Sequence, residues 1–252
     1  MVDLQGKVAL ITGAGRRVGR AISLALAQAG ADTLLHVHTS SAETIQVEIS
    51  QLGRRAWIVR ADLSQPDAVS RLACEAQETA GRIDILVNNA AVFFSTPVAT
   101  LGWADWERTL RTNLSAPFLL SLLVGRNMYQ HGSGKIIFLG DWSGQRPSRE
   151  FLAYCVSKSG IHALTQALAK AFAPYVQVNE IAPGPVLVPV EYSARQRARV
   201  RKNTPLQRFG DPQDVARVVR FLAECGDFVT GATYGVDGGW LATGAGGSGT
   251  SL

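Results

Sequence analysis

A single doubly wound parallel α/β sheet with helices on both faces is the fold this sequence predicts, and three observations predict it. Short apolar runs that read as strands alternate with longer runs that read as helices along nearly the whole chain. The first strand and helix are joined by a glycine turn, Thr12-Gly13-Ala-Gly-Arg-Arg-Val-Gly19. That order sets helix N-terminal N–H groups beside the turn, where a phosphate can be held. No linker-like composition interrupts the alternation, so the chain reads as one domain over residues 1–242, with a Gly/Ser-rich tail over 243–252 expected to be flexible.

Taken in order, Val8 to Ile11 is a short apolar run suited to a strand buried on both faces. Ala21, Ile22, Leu24, Ala25 and Leu26 then form a mostly buried helix closed by Gly30. Thr33 to Val37 is a second strand, Ala42 to Leu52 a helix and Ala56 to Val59 a third strand. Ser64, Pro66 and Asp67 combine an N-cap, a first-turn proline and an early acid, opening a helix to about Ala80. Asp84 to Asn88 is the fourth strand. Trp103 to Met128 reads as one long helix that Pro117 should kink or break. Strands at Lys135 to Leu139, Val176 to Ile181 and Thr233 to Val236 alternate with helices at Ala153 to Phe172 and Asp211 to Ala223. A sheet built this way offers its ligand crevice at the C-terminal strand ends.

Composition narrows the function classes. With 46% hydrophobic residues the chain can bury a large core, yet no run is long and apolar enough to span a membrane. The net charge of +5 comes from dispersed arginines, without the concentrated stripe or module that nucleic-acid binding needs. Cys74, Cys155 and Cys225 are too far apart for a metal-ligand pattern and are odd in number. Met1-Val-Asp-Leu4 shows no leader, so a reduced, cytoplasmic protein is expected.

The chemistry centres on Tyr154-x-x-x-Lys158. Residues four apart share a helix face, so the ammonium is expected to draw the phenol down from about 10 toward working pH. A tyrosine in that state can exchange the proton that accompanies hydride transfer. At the end of the second strand stand His36, His38, Thr39 and Ser40, with no carboxylate before Glu43. An acid there would bind a ribose 2′-hydroxyl, whereas hydroxyls aided by Arg16 suit a 2′-phosphate, so NADPH is expected over NADH.

Thr12-Gly13-x-x-x-Arg17-x-Gly19, Asn88-Asn89-Ala90, Tyr154-x-x-x-Lys158, Asn179-x-x-x-Pro183-Gly184 and Val236-Asp-Gly-Gly239 together resemble the landmarks of short-chain dehydrogenases/reductases over nearly the whole chain. The resemblance implies Tyr154 and Lys158 as catalytic residues that also meet the cofactor, with Asn113 supporting a relay water. It implies that Asp62 binds the adenine amino group, and that Gly13, Val18, Leu63, Asn89, Ala90, Ala91, Pro183, Gly184 and Val186 contribute to the cofactor site. A homotetramer follows from the same resemblance.

Two departures agree with one branch. The family's glycine is Arg17 here, and the serine it places thirteen residues before the tyrosine is Asp141. Both replacements resemble pteridine reductases, as does Phe93, at the position where that branch stacks an aromatic ring on its pterin. Thr39 and Ala91 depart from that branch. The resemblance therefore implies reduction of a dihydropterin-like C=N bond, with Tyr154 as proton donor, Asp141 as its partner acid, and Arg17 and Phe93 holding a flat substrate. The alternative is a carbonyl reductase acting on a ketone such as a 3-oxoacyl thioester, in which Asp141 is a loop residue and Ser143 serves instead. A further alternative is a non-catalytic NADPH-binding protein. Trp142 either walls the pocket or packs. Arg195, Arg197, Arg199, Arg201 and Lys202 fall where the family places its substrate lid, and read as a solvated lid or a dock for an acidic partner.

Overall fold

The computed structural model describes residues 3–186 and 192–242. The expected tail lies outside the described residues. Among the described residues seven strands form one sheet: β1 Val8–Thr12, β2 Asp32–Val37, β3 Ala56–Arg60, β4 Ile85–Asn88, β5 Gly134–Leu139, β6 Val176–Pro183 and β7 Thr233–Val236. All pairs are parallel, in the order β3-β2-β1-β4-β5-β6-β7. The order reverses between β1 and β4, and the crevice opens at the C-terminal ends of these strands.

β1, β2 and β4 are buried at every residue, which is why they read as unbroken apolar runs and not as alternating ones. Their alternate side chains feed two layers. On one face Ala9 and Ile11 meet α1 (Arg17–Gln28), α2 (Glu43–Gln51) and α8 (Pro212–Glu224) through Ile22, Leu26, Ile45, Ile49, Val215 and Val219. On the other, Val8 and Leu10 meet α3 (Pro66–Ala80), α5 (Ala116–Gln130) and α6 (Leu152–Ala171) through Val69, Leu72, Leu120, Val124, Ile161 and Leu168.

The helix expected from Trp103 to Met128 is interrupted, but not by a kink at Pro117. α4 (Trp103–Leu110) passes into one π-helical turn, Arg111–Ser115, before α5 begins. Pro117 has no N–H to return to the carbonyl four residues back, and the widened turn makes an i to i−5 bond in its place, from Ala116 N–H to Arg111 O. Asn113 sits in that turn. No helix among the described residues is long and apolar enough to cross a membrane.

Candidate active site

The C-terminal strand ends enclose a cleft of about 630 Å³, within the range of small-molecule and cofactor sites. Its floor is the glycine turn. Gly13 has φ 66°, and a Cβ there would crowd Ala90 and Asn89, each at 3.1 Å; one on Gly19 would overlap the Gly13 carbonyl. Both glycines therefore keep the β1–α1 turn close to the β4 loop. Thr12 locks the two together: its Oγ1 accepts from Asn89 N–H (2.9 Å) and Ala90 N–H (3.0 Å). Asn89 Nδ2 donates back to Thr12 O at 2.8 Å.

Arg17 opens α1 with φ 53°. A left-handed arginine costs about 1 kcal/mol that a glycine would avoid, offset in part by glycine's larger unfolded-state entropy. Arg17→Gly should therefore raise stability by about 0.5 kcal/mol, measured by urea denaturation; a loss of stability would show that the guanidinium makes a compensating contact.

The cleft wall at the end of β2 carries His38, Thr39 and Ser40 facing Arg16 and Arg17. His36 lines the cleft too, but its ring is already engaged. Nδ1 accepts from Gly13 N–H at 3.2 Å, and Nε2 donates to Ala61 O at 3.1 Å. The residue is 2% exposed. Burial lowers its pKa to about 4, against a pull upward from the Ala61 bond and with a smaller downward contribution from the neighbouring His38. The expected cofactor contact is thus structurally a neutral pin between the glycine turn and β3. Asp62 lines the cleft with Leu63, held below its ordinary pKa chiefly by the Ser64 N–H bond at 2.9 Å. Val18, Asn89, Ala90, Ala91, Pro183 and Gly184 also line it. Val186 does not; it lines a separate cavity of about 380 Å³ beside α8.

At the far end of the cleft Tyr154 donates its hydroxyl proton to Asp141 Oδ2 at 3.2 Å. Asp141 follows β5, and its Oδ1 accepts from Ser143 N–H at 2.8 Å. One turn along α6, Lys158 Nζ donates to Leu139 O at 2.7 Å and lies 5.5 Å from the Tyr154 ring centre. Burial pushes the Asp141 carboxyl up, toward its protonated form, against the Ser143 bonds and the Lys158 charge. Burial pulls Lys158 down, against Asp141 and Glu180. The expectation that Lys158 depresses the phenol fails: burial, and then the neighbouring Asp141, push Tyr154 well above 10. The phenol keeps its proton at working pH.

Asn113 is buried outside the cleft lining. Its side chain clasps the β4 loop, accepting from Val92 N–H (2.8 Å) and donating to Val92 O (2.9 Å) and Ser157 Oγ (3.3 Å). Phe93 also lies outside the lining: its ring stacks on Phe151 at 4.5 Å and meets Tyr154 edge-on at 4.8 Å. Ser143 is buried beside Asp141, to which its N–H donates. Trp142 packs on Trp240 at 5.4 Å and is not part of the wall. The arginine-rich segment forms α7 (Ala194–Asn203), which buries no residue and lines neither cavity.

Sequence reasoning missed Arg108 and Thr112, which line the cleft from α4 and the π-helical turn. Their four-residue spacing was the available signal, since it puts both on one helix face. With Arg108 included, the wall carries Arg16, Arg17, Arg108 and Lys158 against Asp62 and Asp141. Such a cleft favours an anionic ligand.

A family model described as enoyl-(acyl carrier protein) reductase matches residues 13–241. The chain belongs to the short-chain dehydrogenase/reductase family. This member is 36% identical over 246 residues to a 2-dehydro-3-deoxy-D-gluconate 5-dehydrogenase of Bacillus subtilis, covering 95% of this chain and 96% of that one. It is 33% identical to a 3-oxoacyl-[acyl-carrier-protein] reductase of Synechocystis, covering 96% and 99% of the two chains. A blue fluorescent protein from a metagenomic library, solved in complex with NADPH, superposes with TM-score 0.89 at 32% identity, covering 95% of this reductase-family chain and all of the other. None of these relatives is named for pterin chemistry.

Proposed function

We propose that this protein is an NADPH-dependent reductase that adds hydride to a ketone carbon. The Asp141–Tyr154–Lys158 group at the end of a cation-rich cleft carries the reading. The cleft lining suits the cofactor: Gly13 and Gly19 let the β1–α1 turn pack against the β4 loop at the cleft floor, and Arg16, His38, Thr39 and Ser40 form a donor set suited to a 2′-phosphate. Arg17 and Asp62 line the same cleft, and in this reading Arg17 would meet the pyrophosphate or an acidic substrate and Asp62 the adenine. NADPH, when bound, supplies the hydride.

The residues of this chain supply the proton. As the carbonyl carbon gains the hydride, electrons of the C=O bond move to oxygen, and that oxygen takes the Tyr154 proton. A phenol held protonated by burial is in the form this direction needs. Asp141 stands where the family carries serine. Because burial raises its pKa, it can present an O–H as a serine would, so the swap is compatible with carbonyl chemistry. Lys158 balances the charge left on Tyr154 and Asp141. The relatives named for ketone or 3-oxoacyl substrates support the carbonyl class.

One observation favours a second reading, reduction of a pterin C=N bond: the direct Tyr154–Asp141 bond is a two-group proton path to a nitrogen. Against it, Phe93 gives one ring face to Phe151.

The deciding experiment follows oxidation of NADPH and NADH with a keto sugar acid, a 3-oxoacyl thioester and a dihydropterin, in wild type and Asp141→Ser. Ketone turnover with NADPH that survives the substitution within about tenfold supports the proposal. Pterin turnover that collapses in the variant establishes the second reading, and no oxidation with any substrate leaves a binding protein.

A further inference from the structure

Glu180 is a buried acid for which neither the fold nor the chemistry above has a use. It lies in the middle of β6, 2% exposed, paired in register with Phe138 on β5 and Thr233 on β7. An acid inside a parallel sheet is costly unless its oxygens are held. Here Oε2 accepts from Thr233 Oγ1 at 2.7 Å and from His162 Nδ1 at 3.0 Å. Oε1 turns the other way, into the space where a Cβ on Gly140 would stand. Gly140 is the residue immediately before Asp141, so the carboxylate rests against the loop that presents the catalytic acid.

Its helical neighbour makes the placement more specific. Tyr154, Lys158 and His162 are spaced by four along α6 and so share one face. Lys158 Nζ reaches Leu139 O, one residue before Gly140. Glu180 thus meets that face at His162 through Oε2, while its Oε1 stands against Gly140, the residue after the carbonyl that Lys158 holds. The carboxylates acting on Lys158 are Asp141, after β5, and Glu180, on β6. From its own helix it faces Tyr154; from α4, Arg108 enters the same cleft. Asn113 in the π-helical turn and Ser157 are uncharged.

We propose that Glu180 is a positioning residue of the active site: its carboxylate, held by His162 and Thr233, supplies negative charge that balances the buried Lys158 ammonium even when Asp141 carries its proton. Two carboxylates facing one ammonium leave the lysine charged whichever state Asp141 adopts while Tyr154 releases its proton. Burial alone pulls Lys158 downward, and Glu180 opposes that pull. The inference rests on Lys158 being a cofactor ligand, as in the preceding reading, but not on the identity of the substrate.

NADPH binding tests it without turnover. The dissociation constant is measured by fluorescence titration from pH 6 to pH 10.5 for wild type, Glu180→Gln and Thr233→Val. Wild type should weaken at alkaline pH as Lys158 loses its proton. Glu180→Gln keeps the shape and one acceptor oxygen for His162 and Thr233 while removing the charge, and should move that alkaline midpoint down by about one pH unit. Thr233→Val removes one donor and keeps the charge, so its midpoint should stay with wild type. An unshifted midpoint in Glu180→Gln overturns the proposal, as does an equal shift in Thr233→Val, which would mark a packing effect. Wild-type binding with no alkaline limb overturns it too, by showing that Lys158 does not hold the cofactor; the reductase reading would then stand or fall on the substrate panel. If Glu180→Gln does not fold, Glu180→Asp takes its place: it keeps the charge, and its midpoint must remain within about half a unit of wild type.

Discussion

Tyr154→Phe should lower kcat by about a thousandfold, within the span of a lost general acid, while NADPH affinity stays within about threefold. The expectation separates two jobs of one side chain. Its ring meets Phe93 edge-on and lies 5.5 Å from Lys158 Nζ, and phenylalanine keeps both contacts. Its hydroxyl gives Asp141 a proton contact at 3.2 Å and faces the cleft as the group that would protonate substrate. The variant should therefore lose chemistry and not binding, read from single-turnover NADPH oxidation beside fluorescence titration. Its pH profile adds a sign. Burial and Asp141 push the phenol well above 10, so Tyr154 remains a proton donor throughout the ordinary range. Lys158 moves the opposite way, so wild-type reduction should decline at alkaline pH through the lysine and not the phenol. A Tyr154→Phe protein with kcat within tenfold of wild type would remove the phenol from the mechanism.

Acid should weaken the fold through His36 by about 3 kcal/mol. The folded imidazole has a pKa of about 4 against an ordinary value of 6.5, because it is buried. Between those two values the unfolded chain binds a proton that the folded chain refuses. For a base with a lowered folded pKa, the stability is therefore present above pH 6.5, falls as pH drops toward 4, and levels off below it. The unfolding free energy from urea titrations at pH 4, 5, 6 and 7 should show this slope. His36→Gln should flatten it, at a cost of about 1–2 kcal/mol at pH 7 from the weakened Gly13 N–H bond. An unchanged slope in the variant would assign the acid sensitivity to other groups.

The legibility of this chain differs by kind of residue. β1, β2 and β4 were readable because strands buried on both faces must be apolar throughout, and the parallel order followed from the β-then-α alternation. Cleft residues that come from motifs, such as Gly13, Asn89, Tyr154, Lys158 and Gly184, were nameable for the same reason: their spacing is local. Arg108 was not, because it reaches the cleft only when α4 packs against α6. His36 lines the cleft where the sequence puts it, and the structure adds partners that its position in the chain does not show. A histidine at a strand end looks available for a ligand until Ala61, on the neighbouring β3 side, and Gly13 are seen to hold both ring nitrogens.

By itself the sequence determined the parallel sheet, the glycine turn and the tyrosine–lysine pair, since each depends on periodicity or on residues within one turn of each other. Only the tertiary structure decided the charge states. Whether Asp141, Tyr154 and Lys158 hold protons depends on how deeply they are buried and which carboxylates face them, and Glu180 reaches that group from a strand 22 residues beyond the lysine. Desolvation and Coulomb energy are set by distance in space, and the order of residues along a chain does not contain that distance.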